Sequence, residues 1–139
     1  MFVGAFTAGK QPLISVRTIE ELYKKGYNVE LSMFGDGEEF STIEEYIKEN
    51  NLTAIVKLKG NQPKDHVKLA FQESHFLIFI SKSEGWPKVV SESMFWSCLP
   101  ISTKVSCIPY MLDHGKRGAL VNDNIEEIVS VIQKYIDNF

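Results

Sequence analysis

Two carboxylates, Glu84 and Glu92, stand with seven residues between them in the stretch EGWPKVVSE. Gly85 and Pro87 mark a turn after Glu84, and the helix expected to follow begins near Pro87, a residue suited to a first helical position. Free backbone amides at about Lys88 and Val89 would then form an anion site, ready for a phosphate. Carboxylates beside such a site cannot be there to attract the phosphate. They suit hydrogen bonds from neutral hydroxyls, as sugars and ribose present. The turn sets Glu84 at the helix mouth, while Glu92, slightly more than a turn past the first amides, can face the same crevice.

A second stretch, GAFTAGKQ at residues 4–11, comes within one residue of a phosphate-binding loop. Gly4, Gly9 and Lys10 fit the G-x-x-x-x-G-K pattern, but Gln11 stands where a Ser or Thr hydroxyl would hold Mg²⁺. Pro12 follows where a P-loop helix would still be donating amides. The stretch is therefore read as something other than a P-loop, with Lys10 as its one chemically useful cation.

The elements that must position these residues alternate along the chain. Short apolar runs at 2–6, 29–34, 55–59, 76–81, 100–103 and 118–121 read as strands, and amphipathic stretches separate them. The run FLIFIS is apolar at nearly every position, as expected of a central parallel strand covered on both faces. Leu13, Val16, Ile19, Leu22 and Tyr23 form one helical stripe, and Ile125, Ile128, Val129, Ile132, Tyr135 and Ile136 form another. The fold class expected is α/β, a Rossmann-like, doubly wound and mainly parallel six-stranded sheet flanked by helices. Ligands of such sheets sit beyond the carboxyl ends of the strands. No G-x-G-x-x-G follows the first strand, and the lone Gly35-Asp36-Gly37 is read as a tight strand-to-helix turn. The acidic pair of a phosphorelay receiver is missing from the strand ends as well.

Composition limits the remaining choices. The 139 residues carry a net charge of −3, without the basic face of a nucleic-acid binder. With 44% hydrophobic and 24% charged residues the chain reads as one ordinary globular domain. No apolar run approaches a membrane span, and no secretion signal opens the chain, so a cytoplasmic protein is expected. Cys98 and Cys107 lack metal-ligand spacing and are read as reduced thiols.

In its full context, E-G-W-P-x-V-x-x-E resembles the E-x7-E signature of the retaining, group 1 type glycosyltransferases of GT-B fold, in their C-terminal, donor-binding domain. The opening F-V-G strand with its following Lys, then F-G-D-G-E, I-V-K-L-K-G-N and the closing R-G-A-L-V-N-D, occur in that family's order. The resemblance spans essentially residues 1–139 and implies a single nucleotide-sugar-binding domain, with the N-terminal acceptor domain outside this chain. It implies that Glu84 binds donor-sugar hydroxyls beside the Gly85, Trp86 and Pro87 backbone, and that Glu92 binds the ribose. The amides near Lys88 and Val89 would hold the diphosphate, Lys10 would neutralise the leaving group, and Gly4 and Gly60 would border the donor.

The donor implied is a UDP- or GDP-linked sugar, with no metal and no further cofactor. The acceptor implied is a sugar, glycan or lipid-linked molecule brought by the other domain, through which the whole protein would also meet the inner membrane face. Two departures stand out. Ala5 occupies the position of the family's usual Arg, which Lys82, Lys88 or Arg17 could replace, and Ser97 stands where the family usually has the small glycine that follows the E-x7-E helix, in a turn about one residue longer. Two other readings stay open: a non-catalytic module for a nucleotide or phosphorylated ligand, and a nucleotide-sugar epimerase of the same fold.

Overall fold

A computed structural model describes all residues 1–139. Six strands alternate with six helices: β1 (Phe2–Val3), α1 (Pro12–Lys24), β2 (Leu31–Phe34), α2 (Phe40–Glu49), β3 (Val56–Gly60), α3 (Lys64–Glu73), β4 (Phe76–Phe79), α4 (Lys88–Phe95), β5 (Leu99–Thr103), α5 (Ile108–Met111), β6 (Ala119–Val121) and α6 (Ile125–Asp137). Every pairing is parallel. The regular ladders form two three-stranded blocks, β1-β2-β3 and β4-β5-β6. Met1 joins them: its amino group donates to Phe76 O at 2.7 Å and its carbonyl accepts from Ile78 N at 3.0 Å. Strand order across the molecule is therefore β3-β2-β1-β4-β5-β6, and winding reverses between β1 and β4. That reversal opens a crevice at the carboxyl ends of these two strands, the expected place for a ligand.

Alternation along β4 shows how the sequence builds both faces. Leu77 and Phe79 belong to a core cluster with Phe71, Val90 and Ile108, while Ile78 and Ile80 belong to the other with Val16, Leu22 and Ile132. Successive side chains of a strand point to opposite faces, so an unbroken apolar run fills two cores at once. The α1 and α6 stripes pack on the second face with Val16, Ile19, Leu22, Ile128, Val129 and Ile132 buried. Tyr23, expected in the α1 stripe, is 55% exposed. One residue past Leu22 is a rotation of about 100° around the helix, which carries it off the buried face.

Several boundaries differ from the sequence reading. The first strand was expected over 2–6, yet regular pairing ends at Val3. Backbone bonds from Gly4 N to Phe34 O and from Phe6 N to Asp36 O, both 3.0 Å, carry the chain on beside the segment after β2. The two backbones lie so close that a Cβ on Gly35 would stand 1.8 Å from Gly4 O, and one on Gly37 2.6 Å from Phe6 O. Glycine is required there by close approach as well as by the turn. β4 ends at Phe79 rather than 81, and α4 begins at Lys88, with Pro87 extended (φ −78°, ψ 92°) as its cap rather than its first residue. At the sheet's margins β3 exposes Lys57 and Lys59, and β6 is three residues long.

Candidate functional site

Leaving β4, residues 80–87 cross the carboxyl edge of the sheet, and this loop is fixed at several points. Gln11 Nε2 donates to Ile80 O at 2.9 Å, and Lys82 N to Gly9 O at 2.9 Å. Thr103 Oγ1, at the end of β5, donates to Ser81 O at 2.6 Å. Ser106 Oγ donates to Gly85 O at 2.8 Å. Ser81, itself buried, has its hydroxyl 2.8 Å from Glu84 Oε1 and 3.0 Å from Ser83 O, so its single proton serves one of them at a time.

Two of the expected site residues meet here. Lys10 Nζ forms an ion pair and hydrogen bond with Glu84 Oε1. Their side chains are 29% and 10% exposed, and the ammonium also lies 5.3 Å from the centre of the Phe79 ring. Low exposure keeps solvent from screening the pair, so it is stronger than a surface contact. The loop that carries Lys10 is not a phosphate cradle: the amides of Lys10 and Gln11 both turn back to Thr7 O at 3.2 Å. Gln11 spends its side-chain amide on Ile80 O and on Asp123 Oδ2, at 2.9 Å each. What this loop offers a ligand is one ammonium group.

Four residues after Glu84 the chain enters α4. Its first backbone bond runs from Val90 N to Pro87 O at 3.1 Å, which leaves the amides of Lys88 and Val89 without a backbone acceptor. Glu92 follows on the same helix, exposed and outside every ion pair of the chain. Trp86 is 60% exposed and belongs to neither core cluster. Across the crevice, a cavity of about 280 Å³ is bounded by Val3, Gly4, Ala5, Phe34, Gly35, Asp36, Asn61, Gln62 and Val67. Gly60 adjoins it, with its carbonyl accepting from Gly35 N at 2.9 Å. A larger cavity, about 580 Å³, lies at the opposite, amino edge among Asn28, Glu30, His75 and Phe139. It contains none of the residues expected to bind a donor, so the candidate site is the one at the carboxyl edge.

Of the cations considered as substitutes for an arginine at Ala5, Arg17 is on the wrong side of the molecule. Its charge acts on Glu20 and Tyr46, between α1 and α2. Lys82 and Lys88 are both exposed on the site's own loop and helix. Sequence reasoning did not foresee the direct contact of Lys10 with Glu84, nor the supports Ser81, Thr103 and Ser106. The ends of β4 and β5 were visible as locations, but the hydrogen bonds join residues 22 apart and 74 apart in the chain. Both cysteines are free: Cys98 is buried, which pushes its thiol up to about 11, and Cys107 is half-buried beside Gly85 O.

Known proteins resemble this sequence and share this architecture. The sequence model of the family described as glycosyl transferases group 1 matches residues 1–138. An uncharacterized glycosyltransferase of Methanocaldococcus jannaschii is 31% identical over 137 residues, which are 95% of this chain and 37% of that protein. The chain thus spans little more than a third of that relative's length. Among solved structures, Anabaena HepE in complex with UDP and glucose superposes with a TM-score of 0.84 at 18% identity, over 99% of this chain and 39% of that one. TarM superposes with a TM-score of 0.86 at 20% identity, over 99% of this chain and 28% of the other. At these identities the two structures speak for the fold, which is the α/β architecture found here. Family membership rests on the sequence itself, matched from its first residue almost to its last: the chain belongs to the group 1 glycosyl transferases.

Proposed function

We propose that these 139 residues are the donor-binding domain of a glycosyltransferase that moves a sugar from a nucleoside diphosphate to an acceptor. The observation that carries this reading is the meeting of Lys10 and Glu84 at the carboxyl edge of the sheet, on a loop that leads within four residues to two α4 amides without a backbone acceptor. The amides and Lys10 suit a diphosphate, and Glu84 suits the hydroxyls of the attached sugar. Glu92 is assigned to the ribose, and the cavity bordered by Gly4, with Gly60 beside it, to the base. As the sugar departs, negative charge grows on the diphosphate, and a fixed cation there contributes roughly 2 to 4 kcal/mol to the barrier's lowering. Retention at the anomeric carbon and a place in polysaccharide or glycolipid assembly are part of the proposal. A UDP-linked donor is favoured by the UDP held in HepE, with a GDP-linked donor as the alternative. The reading requires no metal. The acceptor is proposed to arrive on a separate domain, whose loss would remove on the order of 7 kcal/mol of positioning, so the chain alone should bind nucleotide and transfer almost no sugar.

The test is calorimetric titration of the chain with UDP, GDP, ADP and UMP, repeated with Glu92→Ala and Lys10→Ala. One diphosphate should bind, and each substitution should weaken it by about tenfold or more. Binding that ignores both substitutions would overturn the site, and ordinary transferase turnover by this chain alone would overturn the division of labour.

A further inference from the structure

One positive charge in this site has two claimants. Lys10 is assigned above to the diphosphate, yet in the protein it is held by the Glu84 carboxylate, whose other contact is the buried Ser81 hydroxyl. Glu84 cannot easily move away. Ser81 is buried, Thr103 holds its carbonyl, and Ser106 holds Gly85, so the carboxylate is fixed within reach of the ammonium. Gly9, next to Lys10, is in turn bonded to Lys82 on the same loop.

We infer that Glu84 is a product-release residue as well as a sugar ligand, competing with the nucleoside diphosphate for Lys10. The inference rests on the donor-site reading. With the whole donor bound, sugar hydroxyls occupy the Glu84 carboxylate and leave the Lys10 charge to the diphosphate. Once the sugar has gone, the carboxylate is free to take Lys10 back, and the diphosphate loses its cation. A ligand whose site is available only a fraction of the time binds more weakly by that fraction, so a pair closed nine-tenths of the time costs about tenfold in affinity. The carboxylate that holds the substrate thereby weakens the product.

The test uses the 139-residue chain with UDP and GDP as probes. Glu84→Gln, which keeps an oxygen for Ser81 but removes the charge, should bind the preferred diphosphate about tenfold more tightly than the parent chain. On a Lys10→Ala background the same change should alter affinity by less than about twofold, since there is then no cation to compete for. Equal or weaker binding by Glu84→Gln overturns the inference while leaving the donor site in place. So does tightening that survives without Lys10, because it points to charge repulsion at a distance. If the parent chain binds neither diphosphate at millimolar concentration, the donor reading falls and takes this inference with it. Thermal melts establish that each variant is folded; should Glu84→Gln unfold, Glu84→Asp, whose carboxylate is withdrawn from Lys10, is expected to shift affinity in the same direction.

Discussion

Tyr46 donates to Glu20 Oε2 at 2.5 Å, and Lys24 Nζ stands 3.1 Å from Glu20 Oε1, so a carboxylate only 5% exposed is held between α1 and α2. Burial by itself would push the Glu20 carboxyl up, but the Tyr46 hydroxyl and then the Lys24 ammonium outweigh it and hold the group below its usual 4.5. Burial and the neighbouring carboxylate push Tyr46 up to about 12. Both shifts describe one proton kept on the tyrosine. Tyr46→Phe should therefore cost about 1.5 to 3 kcal/mol at pH 7, the range for a hydrogen bond to a charged group. Because the folded pKa of Glu20 is depressed, its contribution is complete above the ordinary carboxylate pKa and declines as pH falls through the folded value. Urea unfolding of both proteins at pH 7 and at pH 3.5 should show the gap between them shrink in acid; a gap independent of pH would contradict the pairing.

The elements were legible in the sequence to different degrees, for physical reasons. β4 announced itself because a strand covered on both faces must be apolar throughout, and α6 because its stripe repeats over three turns. β1 was overextended: FVGAF reads as five strand residues, but only two pair regularly before the backbone passes against Gly35 and Gly37. Close approach leaves no trace in a hydropathy pattern beyond the glycines themselves, and Gly35-Asp36-Gly37 had been read simply as a turn. The carboxylates were legible by type and spacing. The partner of Glu84 was not, since Lys10 reaches it only after β1 and β4 are set side by side. The glycine argument can be tested at the element level. Gly35→Ala should cost about 3 kcal/mol or more, or prevent folding, because the new Cβ would stand 1.8 Å from Gly4 O, far inside van der Waals contact, and φ is +128°. Gly85→Ala, where nothing lies within 4 Å, should stay within about 0.5 kcal/mol of the parent in the same denaturation experiment.

At the scale of the molecule, the two strand blocks meet at Met1, whose nitrogen donates to Phe76 O and whose carbonyl accepts from Ile78 N. No helix is long and apolar enough to cross a membrane. The margins of the sheet have a separate consequence. β3 leaves one long side of the sheet unpaired, and β6 leaves the other, so both could recruit strands from foreign chains. Lys57 and Lys59 put repelling, hydrated charge along the first, and the second offers only three residues to pair with. A parallel sheet with two open sides is thereby kept from growing into a fibril.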